Sequence, residues 1–257
     1  MDLQLKGRKA IVTGATRGIG QKIAQTLANE GVDLAICARG AAGVEKAVAD
    51  LQARGVRALG EVVDVANAEQ YVAWLKSASD GLGGLDIFVH NVTGTPTVPG
   101  IKGWDLGYHT DVMGAVLGVE TVVPYLRKSS NAAIVFIASI SGLISKVIPA
   151  PGAHAYGASK AALICYGAMV SKELAKEKIR VNMVSPGPIY FEGGPWDMIQ
   201  RHAPQVYAAA QQACVIGRLG DPQDIADAVA FFASPRSGFT VGQNLHVDGG
   251  YMQHVAF

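Results

Sequence analysis

The stretch KAIVTGATRGIG, residues 9–20, passes from a β-rich run into a glycine-rich turn and then into a helical pattern over residues 21–30. Strand, turn and helix in this order form the context that a nucleotide-binding loop requires. Gly14, Gly18 and Gly20 are spaced G-x-x-x-G-x-G, so the backbone can turn tightly and approach a pyrophosphate at the helix N-terminus. An ordinary turn is the alternative, but the position directly after the first strand favours a dinucleotide loop.

Outward from this loop, short apolar runs alternate with helical patterns along the whole chain. Strands are predicted at 9–13, 33–38, 56–63, 85–90, 132–138, 179–184 and 244–247, and further helices at 41–54, 67–82, 104–127, 153–173, 196–214 and 221–233. Such alternation predicts an α/β fold with a doubly wound parallel sheet of the Rossmann type. We expect one domain over residues 1–257. The segment at about 190–214 is either a short helical substrate lid or a plain core-facing helix.

The composition excludes several classes of protein. The 257 residues are 49% hydrophobic and 17% charged, which suits one large core. A formal net charge of +1 gives no basic field, so nucleic acid is not an expected partner. The N-terminus lacks a signal-peptide core and no apolar run reaches the ~18 residues of a membrane span, so a soluble cytoplasmic protein is expected.

The three cysteines, Cys37, Cys165 and Cys214, form an odd set with no Cys-x-x-Cys spacing. This usage suits a reducing compartment and argues against a disulfide framework or a cysteine zinc site. We therefore expect no metal and interpret all three cysteines as small apolar core residues.

The run AHAYGASKAALICYGAMVSKE, residues 153–173, places Tyr156 and Lys160 four residues apart, on one face of a helix. This helix is apolar nearly all round and is expected to be buried by close-packed neighbours. Lys160 is the only charged residue between positions 147 and 171. A cation within about 4–6 Å of a phenol favours the phenolate. Tyr156 can then exchange a proton with a carbonyl or alcohol oxygen. A core tyrosine beside a lysine that snorkels to the surface is the alternative.

Two arginines lie where the ribose of a bound dinucleotide is expected, near the carboxyl end of the second strand. Arg39 follows Ala38 where an NAD-selective protein presents a carboxylate, and Arg17 projects from the glycine loop. Both favour a 2′-phosphate, and two solvated surface arginines are the alternative. Asp64 closes the third strand, either as an acceptor for an adenine amino group or as a helix N-cap.

Polar side chains also close the fourth and fifth strands. Asn91 follows the fourth strand within HNVTG, and Ser139 follows the most apolar strand. A hydroxyl at the carboxyl end of a central strand faces the crevice in which ligands bind. The loop 95–103, with two prolines and two glycines, is a candidate border of a substrate cleft.

Together, TGATRGIG at 13–20, Asn91, Ser139, Tyr156-x-x-x-Lys160, Pro186-Gly187 and the terminal VGQNLHVDGG resemble the short-chain dehydrogenase/reductase family. The likeness is greatest to NADPH-dependent ketoreductases such as the 3-oxoacyl-acyl-carrier-protein reductases. It implies that Ser139 and Tyr156 bind the substrate oxygen, that Tyr156 passes the proton and that Lys160 also holds the nicotinamide ribose. It also implies a homo-oligomer, a tetramer or dimer, with the helices at 104 and 153 at one interface.

The expected function is hydride transfer between NADP(H) and a small ketone or secondary alcohol, with Tyr156 as general acid and base. The cofactor-binding positions are expected to be Gly14, Thr16, Arg17, Gly18, Ile19, Gly20, Arg39, Asp64, Val65, Asn91, Tyr156, Lys160, Pro186, Gly187 and Ile189. The alternative is a dinucleotide-binding sensor or scaffold with little catalysis, because fold alone does not decide function.

Three departures from the family's pattern concern the shape of the site. The family's Asn-Asn-Ala-Gly is here HNVT at 90–93, and Phe191 replaces a threonine that binds the pyrophosphate. The 17 positions from Ser139 to Tyr156 are a few more than usual. The loop that carries Ser141 and Lys146 is therefore expected to reshape the pocket.

The fourth departure is Asp111, which aligns with the helical asparagine of the family's proton relay and completes the set of candidate catalytic residues. A carboxylate keeps an acceptor and loses a donor. We expect an ionised Asp111 to attract Lys160. A protonated Asp111 that substitutes for the amide is one alternative, and a shifted register that turns Asp111 outward is another.

Overall fold

Seven strands form one parallel sheet in the computed structural model, which describes residues 1–94, 98–145 and 150–253. The strands are β1 Lys9–Thr13, β2 Asp33–Ala38, β3 Ala58–Val62, β4 Ile87–His90, β5 Ala133–Ile137, β6 Arg180–Pro186 and β7 Asn244–Val247. Their order is β3-β2-β1-β4-β5-β6-β7, so the direction of winding reverses between β1 and β4. Parallel sheets bind ligands at such a reversal, outside the carboxyl ends of the strands. The predicted doubly wound fold is confirmed.

Helices cover both faces of the sheet. They are α1 Gly18–Asn29, α2 Ala41–Gln52, α3 Ala68–Leu82, α4 Gly100–Gly107, α5 Gly114–Leu126, α6 Ala153–Leu174, α7 Pro195–His202, α8 Pro204–Ala213 and α9 Pro222–Ala233. Successive strand side chains point to opposite faces. Val12 accordingly packs in the core that includes residues of α1 and α9, and Ile11 packs in the core that includes residues of α3, α5 and α6. Both faces of the central strands are therefore buried.

The predicted helix at 104–127 differs from the structure in two ways. It begins earlier, at Gly100, and α4 and α5 are joined by a wide π-helical turn over Tyr108–Met113. A π turn holds one extra residue and often marks a functional site. The predicted helix does not include it, because helical periodicity assumes 3.6 residues per turn throughout.

The predicted helix at 196–214 is two helices, α7 and α8, which meet at Ala203. Each begins with a proline, Pro195 or Pro204, at its first residue. Proline is well suited to the first turn of a helix and cannot donate in a helix interior. Pro204 therefore ends α7 and starts α8.

Two expectations for α6 were wrong. The helix is not buried all round, since Met169 is 70% exposed and Cys165 is also exposed. Cys165 is therefore not a core residue, whereas Cys37 and Cys214 are buried. The outward face carries Ala158, Ala161, Ala162, Cys165 and Met169. When small apolar residues lie on every side of a helix, the sequence pattern does not show which side faces the core and which side is exposed on the surface of one subunit.

Among the residues that the structure describes, none of the helices combines the length and the apolar character of a bilayer-spanning segment. Within the same ranges, no group of three or more His, Cys, Asp or Glu side chains is arranged to hold a metal ion. Residues 95–97 of the predicted cleft loop, and Lys146, lie outside the described residues.

Candidate active site

The glycine loop between β1 and α1 is held by Asn91. The Asn91 side chain donates from Nδ2 to the carbonyl oxygens of Thr13 at 3.0 Å and Gly14 at 3.2 Å. A Cβ on Gly20 would lie 2.3 Å from both this Nδ2 and the Gly14 oxygen, so only glycine fits there. Gly14 and Gly18 have φ of +66° and +55°, which favours glycine. The loop is therefore shaped by its sequence for a close backbone approach.

The start of α1 has no side-chain cap. Arg17 is its N-cap residue, and the Arg17 side chain makes no capping bond. The first amides of a helix carry a partial positive charge and bind anions when no side chain satisfies them. Thr16 lies beside α2, where its Cβ would be 3.4 Å from a Cβ on Gly43. Ile19 lies in the first turn of α1.

Arg17 and Arg39 are both exposed, Arg17 at the start of α1 and Arg39 directly after β2. Asp64, which follows β3, is exposed and accepts from the backbone N–H of Ala66 at 3.1 Å. The N-cap of α3 is Asn67, whose side chain accepts from the Gln70 N–H. The alternative of Asp64 as a helix N-cap was therefore wrong, because the N-cap lies three residues later.

A buried ion pair lies at the centre of the site. The Lys160 ammonium is 2.7 Å from Asp111 Oδ1, and the two side chains are 1% and 0% exposed. Lys160 also donates to the Ile137 carbonyl at 2.9 Å, and Asp111 Oδ2 accepts from the Gly94 N–H at 2.6 Å. Asp111 thus points inward from the π turn towards α6. The alternative of an outward-facing Asp111 was wrong, and the predicted contact with Lys160 is present.

Tyr156 lies one turn before Lys160 on α6, is partly exposed, and has its ring centroid 5.9 Å from the Lys160 ammonium. Ser139 follows β5, and its Oγ accepts from the Ser141 N–H at 3.1 Å. That bond caps a short 3₁₀ turn, Ile140–Gly142, which packs against α6. The structure therefore brings the end of β5 and the helix with the Tyr-x-x-x-Lys spacing to one place.

The segment after β6 crosses the same edge of the sheet. Pro186 ends β6, the Gly187 N–H donates to the Val247 carbonyl at 3.0 Å, and Ile189 is buried. Phe191 lies on the glycine loop, since a Cβ on Gly18 would be 2.6 Å from Cζ of the ring. The departure at Phe191 therefore places an aromatic ring over the start of α1. Val65, also predicted to bind cofactor, is a buried side chain.

Sequence reasoning missed Asp197, which organises the segment from 190 to 201. Its buried carboxylate accepts from the Gly193 N–H at 3.0 Å, the Tyr190 hydroxyl at 3.2 Å and Arg201 Nε at 3.1 Å. The Gly193 N–H is the main cause that lowers the pKa of Asp197. The Asp-x-x-x-Arg spacing was the available signal.

Three aromatic side chains of the segment from 190 to 214 contact one another. The Tyr207 ring meets those of Tyr190 and Trp196 edge-on, with centroids 6.2 and 6.5 Å apart. Edge-on pairs of this kind add to the stability of apolar clusters. Met198 of α7 is half exposed.

Comparison with protein families and curated sequences agrees with this arrangement. A family model described as "Enoyl-(Acyl carrier protein) reductase" matches residues 14–252. The isoepoxydon dehydrogenase of Penicillium expansum is 34% identical over 249 residues, which are 96% of this chain and 95% of that protein. A 3-oxoacyl-[acyl-carrier-protein] reductase of Staphylococcus aureus is 32% identical over 248 residues, 95% of this chain and 97% of that protein.

Solved structures extend the comparison to three dimensions. The L-sorbose reductase of Gluconobacter frateurii, solved with NADPH and L-sorbose, is 30% identical with a TM-score of 0.88, covering 99% of this chain and 100% of that one. A 7α-hydroxysteroid dehydrogenase, solved with NADH and 7-oxo glycochenodeoxycholic acid, is 29% identical with a TM-score of 0.89, covering 99% and 98%. Since the similarity of sequence and of fold covers nearly the whole chain, this protein belongs to the short-chain dehydrogenase/reductase family of oxidoreductases.

Proposed function

We propose that the protein is an NADP(H)-dependent oxidoreductase that interconverts a small ketone and a secondary alcohol, with Tyr156 as general acid and base. The observation that carries the proposal is the buried Lys160 ammonium, which lies 5.9 Å from the Tyr156 ring centroid and donates to the carbonyl of Ile137, two residues before Ser139. The ammonium places a buried positive charge beside the hydroxyl that is proposed to exchange the proton.

Each side chain has a separate role in this proposal. The Ser139 and Tyr156 hydroxyls bind the substrate oxygen, and Tyr156 gives or takes its proton. An ammonium has three donors. One of those of Lys160 goes to the Ile137 carbonyl, and Asp111 is the ion-pair partner of the ammonium at 2.7 Å. The ammonium is proposed to donate to the phenol oxygen or the nicotinamide ribose as well. The bound nicotinamide supplies or accepts the hydride.

The preference for NADP(H) rests on charge at the adenine-ribose end. Two exposed arginines, Arg17 and Arg39, flank this end, and Ala38 stands where NAD-selective proteins present a carboxylate. Guanidinium groups bind phosphate oxygens through charge-assisted hydrogen bonds. Relatives of known structure were solved with NADPH or with NADH, so the residues of this chain are the stronger guide.

The substrate is expected to be partly apolar. The segment from about 190 to 214, with α7 and α8, is proposed as a lid over the substrate. Its aromatic group, Tyr190, Trp196 and Tyr207, supplies apolar surface near the end of β6. The Asp197 bonds give the turn before α7 a fixed shape, which a lid needs if it is to exclude water when it closes.

The protein is proposed to form a homo-oligomer, a tetramer or a dimer. The outward face of α6 is apolar, and Trp104 and Tyr108, on or next to α4, are 47% and 53% exposed. Apolar surface of this extent is usual at subunit interfaces. Light scattering coupled to gel filtration tests the assembly, and a Met169→Glu variant should dissociate it, whereas a monomeric wild type would contradict it.

A screen of ketones with NADPH and of alcohols with NADP⁺ tests the function, with NADH and NAD⁺ as controls. We expect turnover of at least one partly apolar ketone or alcohol, faster with the phosphorylated cofactor. Cofactor binding with no turnover across the panel would favour the sensor or scaffold. Absence of cofactor binding would contradict both functions.

A further inference from the structure

His90, the last residue of β4, is a buried polar group without an assigned role. Its side chain is 0% exposed. Its ring lies between Phe88 and Phe136, with centroids 6.3 Å away in each case, and the Phe136 ring is nearly perpendicular to it. Within the described residues, neither ring nitrogen has a hydrogen-bond partner of standard geometry. Buried polar atoms are rarely left in this state, so the position calls for an explanation.

The imidazole packs directly on the π turn that carries Asp111. A Cβ on Gly114, the residue after this turn, would lie 3.0 Å from Cε1 of the ring. The backbones of Thr110 and Asp111, within the turn, are close enough to act on the ring as acceptors and favour its protonation. A π turn shifts the helical hydrogen-bond ladder, so its carbonyl groups are natural targets for an outside donor.

The charged groups that act on the ring are Lys160 from α6 and Asp111 from the π turn. Burial, followed by the field of Lys160, outweighs the acceptors and lowers the pKa of His90 to about 4. The ring is therefore neutral at physiological pH, with one N–H donor and one lone pair. An imidazolium in the same place would compete with Lys160 for the Asp111 carboxylate.

A spacer role does not explain the choice of residue. Phenylalanine fills a similar volume between two aromatic rings and carries no polar atoms that lose their hydration on burial. The His90 ring lies where β4 meets the π turn, next to the Asp111–Lys160 ion pair. In the sequence His90 directly precedes Asn91, whose side chain binds the glycine loop.

We propose that His90 is a positioning residue: its neutral imidazole supports the π turn Tyr108–Met113 and thereby holds the Asp111 carboxylate against the Lys160 ammonium. The effect on catalysis rests on the proposed function, because it acts through Lys160 on Tyr156. The effect on the geometry of the ion pair does not depend on any substrate.

The catalytic test compares His90→Phe, which keeps an aromatic ring and loses both nitrogens, with His90→Asn, which keeps a donor and an acceptor. His90→Phe should lower kcat on the order of tenfold with KM nearly unchanged, and should displace the pH–activity curve, since small displacements of catalytic groups are costly. His90→Asn should recover most of the rate. Tyr71→Phe is the matched control. It removes a different buried polar group, a hydroxyl without a hydrogen-bond partner among the described residues, and should change neither kcat nor the pH–activity curve.

The second test needs no turnover. In protein labelled with ¹⁵N in the imidazole rings, the His90 nitrogens should show one neutral tautomer from pH 5.5 to 8, and their shifts should move in Asp111→Asn. Unmoved shifts, or a His90→Phe enzyme with the wild-type rate and pH curve, would overturn the proposal. A wild type without turnover, combined with His90 shifts that respond to Asp111, would instead count against the proposed function alone.

Discussion

Asp111 and Lys160 meet at 2.7 Å where water is nearly absent, and each has a second partner, a backbone N–H for the carboxylate and a backbone carbonyl for the ammonium. A buried pair is tolerated only when such extra bonds compensate the desolvation of both charges. The pair couples the charge on the π turn to the helix that carries Tyr156. This coupling has measurable consequences.

Removal of the Asp111 charge should move the pH dependence of alcohol oxidation. In Asp111→Asn the carboxylate no longer offsets the positive charge of Lys160 next to Tyr156. The midpoint of the ascending limb of the rate curve should therefore shift downward relative to wild type. Superimposable curves for the two proteins would contradict the charge coupling.

Tyr156→Phe should remove nearly all turnover, by about 10²–10⁴-fold, because it deletes the proton donor with little change of volume. Cofactor affinity should stay close to that of wild type. Lys160→Ala should impair both turnover and cofactor binding. Steady-state kinetics on the best substrate of the screen measure turnover, and a fluorescence titration measures cofactor affinity. A Tyr156→Phe enzyme that keeps most of its activity would refute the assignment of Tyr156 as the general acid and base.

Arg17 and Arg39 should make the protein bind NADPH more tightly than NADH. Each charge-assisted hydrogen bond to the 2′-phosphate contributes on the order of 1.5–3 kcal/mol. Arg39→Asp should weaken NADPH binding and bring the two affinities together or reverse them. The Kd values of both cofactors for wild type and variant test this, and equal wild-type affinities would show that the arginines do not select the phosphate.

Phe191→Thr should strengthen cofactor binding. The Phe191 ring covers Gly18 at the start of α1, where a threonine would supply a hydroxyl donor and leave the first amides open. One added hydrogen bond of about 0.5–1.5 kcal/mol corresponds to a fall in Kd of about 2- to 12-fold. Phe191→Leu is the control, because it removes the ring without adding a donor. An unchanged or weaker affinity in Phe191→Thr would mean that the ring itself contributes to binding.

His90 should make the stability depend on pH. Its pKa is lowered from 6.5 to about 4 in the folded protein. Between these values the unfolded chain binds a proton that the folded chain does not, so this stability is present above pH 6.5 and is lost as pH falls towards 4. From pH 7 to 5 the loss is roughly 2 kcal/mol. Urea unfolding at both values should show a correspondingly smaller loss in His90→Asn, and an equal loss would disprove the linkage.

Much of the fold follows from local pattern. β1, β2 and β7 have the predicted bounds, because each is a short run between clear turn residues, although only β1 and β2 are mostly buried. β3 is shorter than predicted at both ends, and β4 begins two residues later than predicted but ends where expected, since apolar residues continue into the flanking turns. The exposed side of α6, with Cys165, could not be predicted, because a stripe of small apolar residues has the same sequence pattern whether it lies in a core or on a surface.

The candidate site was predictable in its residue types and less so in its geometry. The spacing of Tyr156 and Lys160 located the catalytic helix, and the contact of Asp111 with Lys160 was expected. The π turn that positions Asp111 was not predicted, since the helical pattern was interpreted with 3.6 residues per turn throughout. The role of Asp197 depends on a turn whose backbone N–H no sequence pattern identifies.

The strand order also determines when the sheet can form. β1 pairs with β2, which follows it closely, but its other edge pairs with β4, so Ala10 aligns with Ile87 across three intervening helices. Contacts between such distant residues must overcome a large loss of chain entropy before they stabilise anything, and folding slows accordingly. During synthesis the backbone edge of β1 that pairs with β4 therefore stays unpaired until β4 emerges, and the glycine loop cannot receive its bonds from Asn91 before that moment.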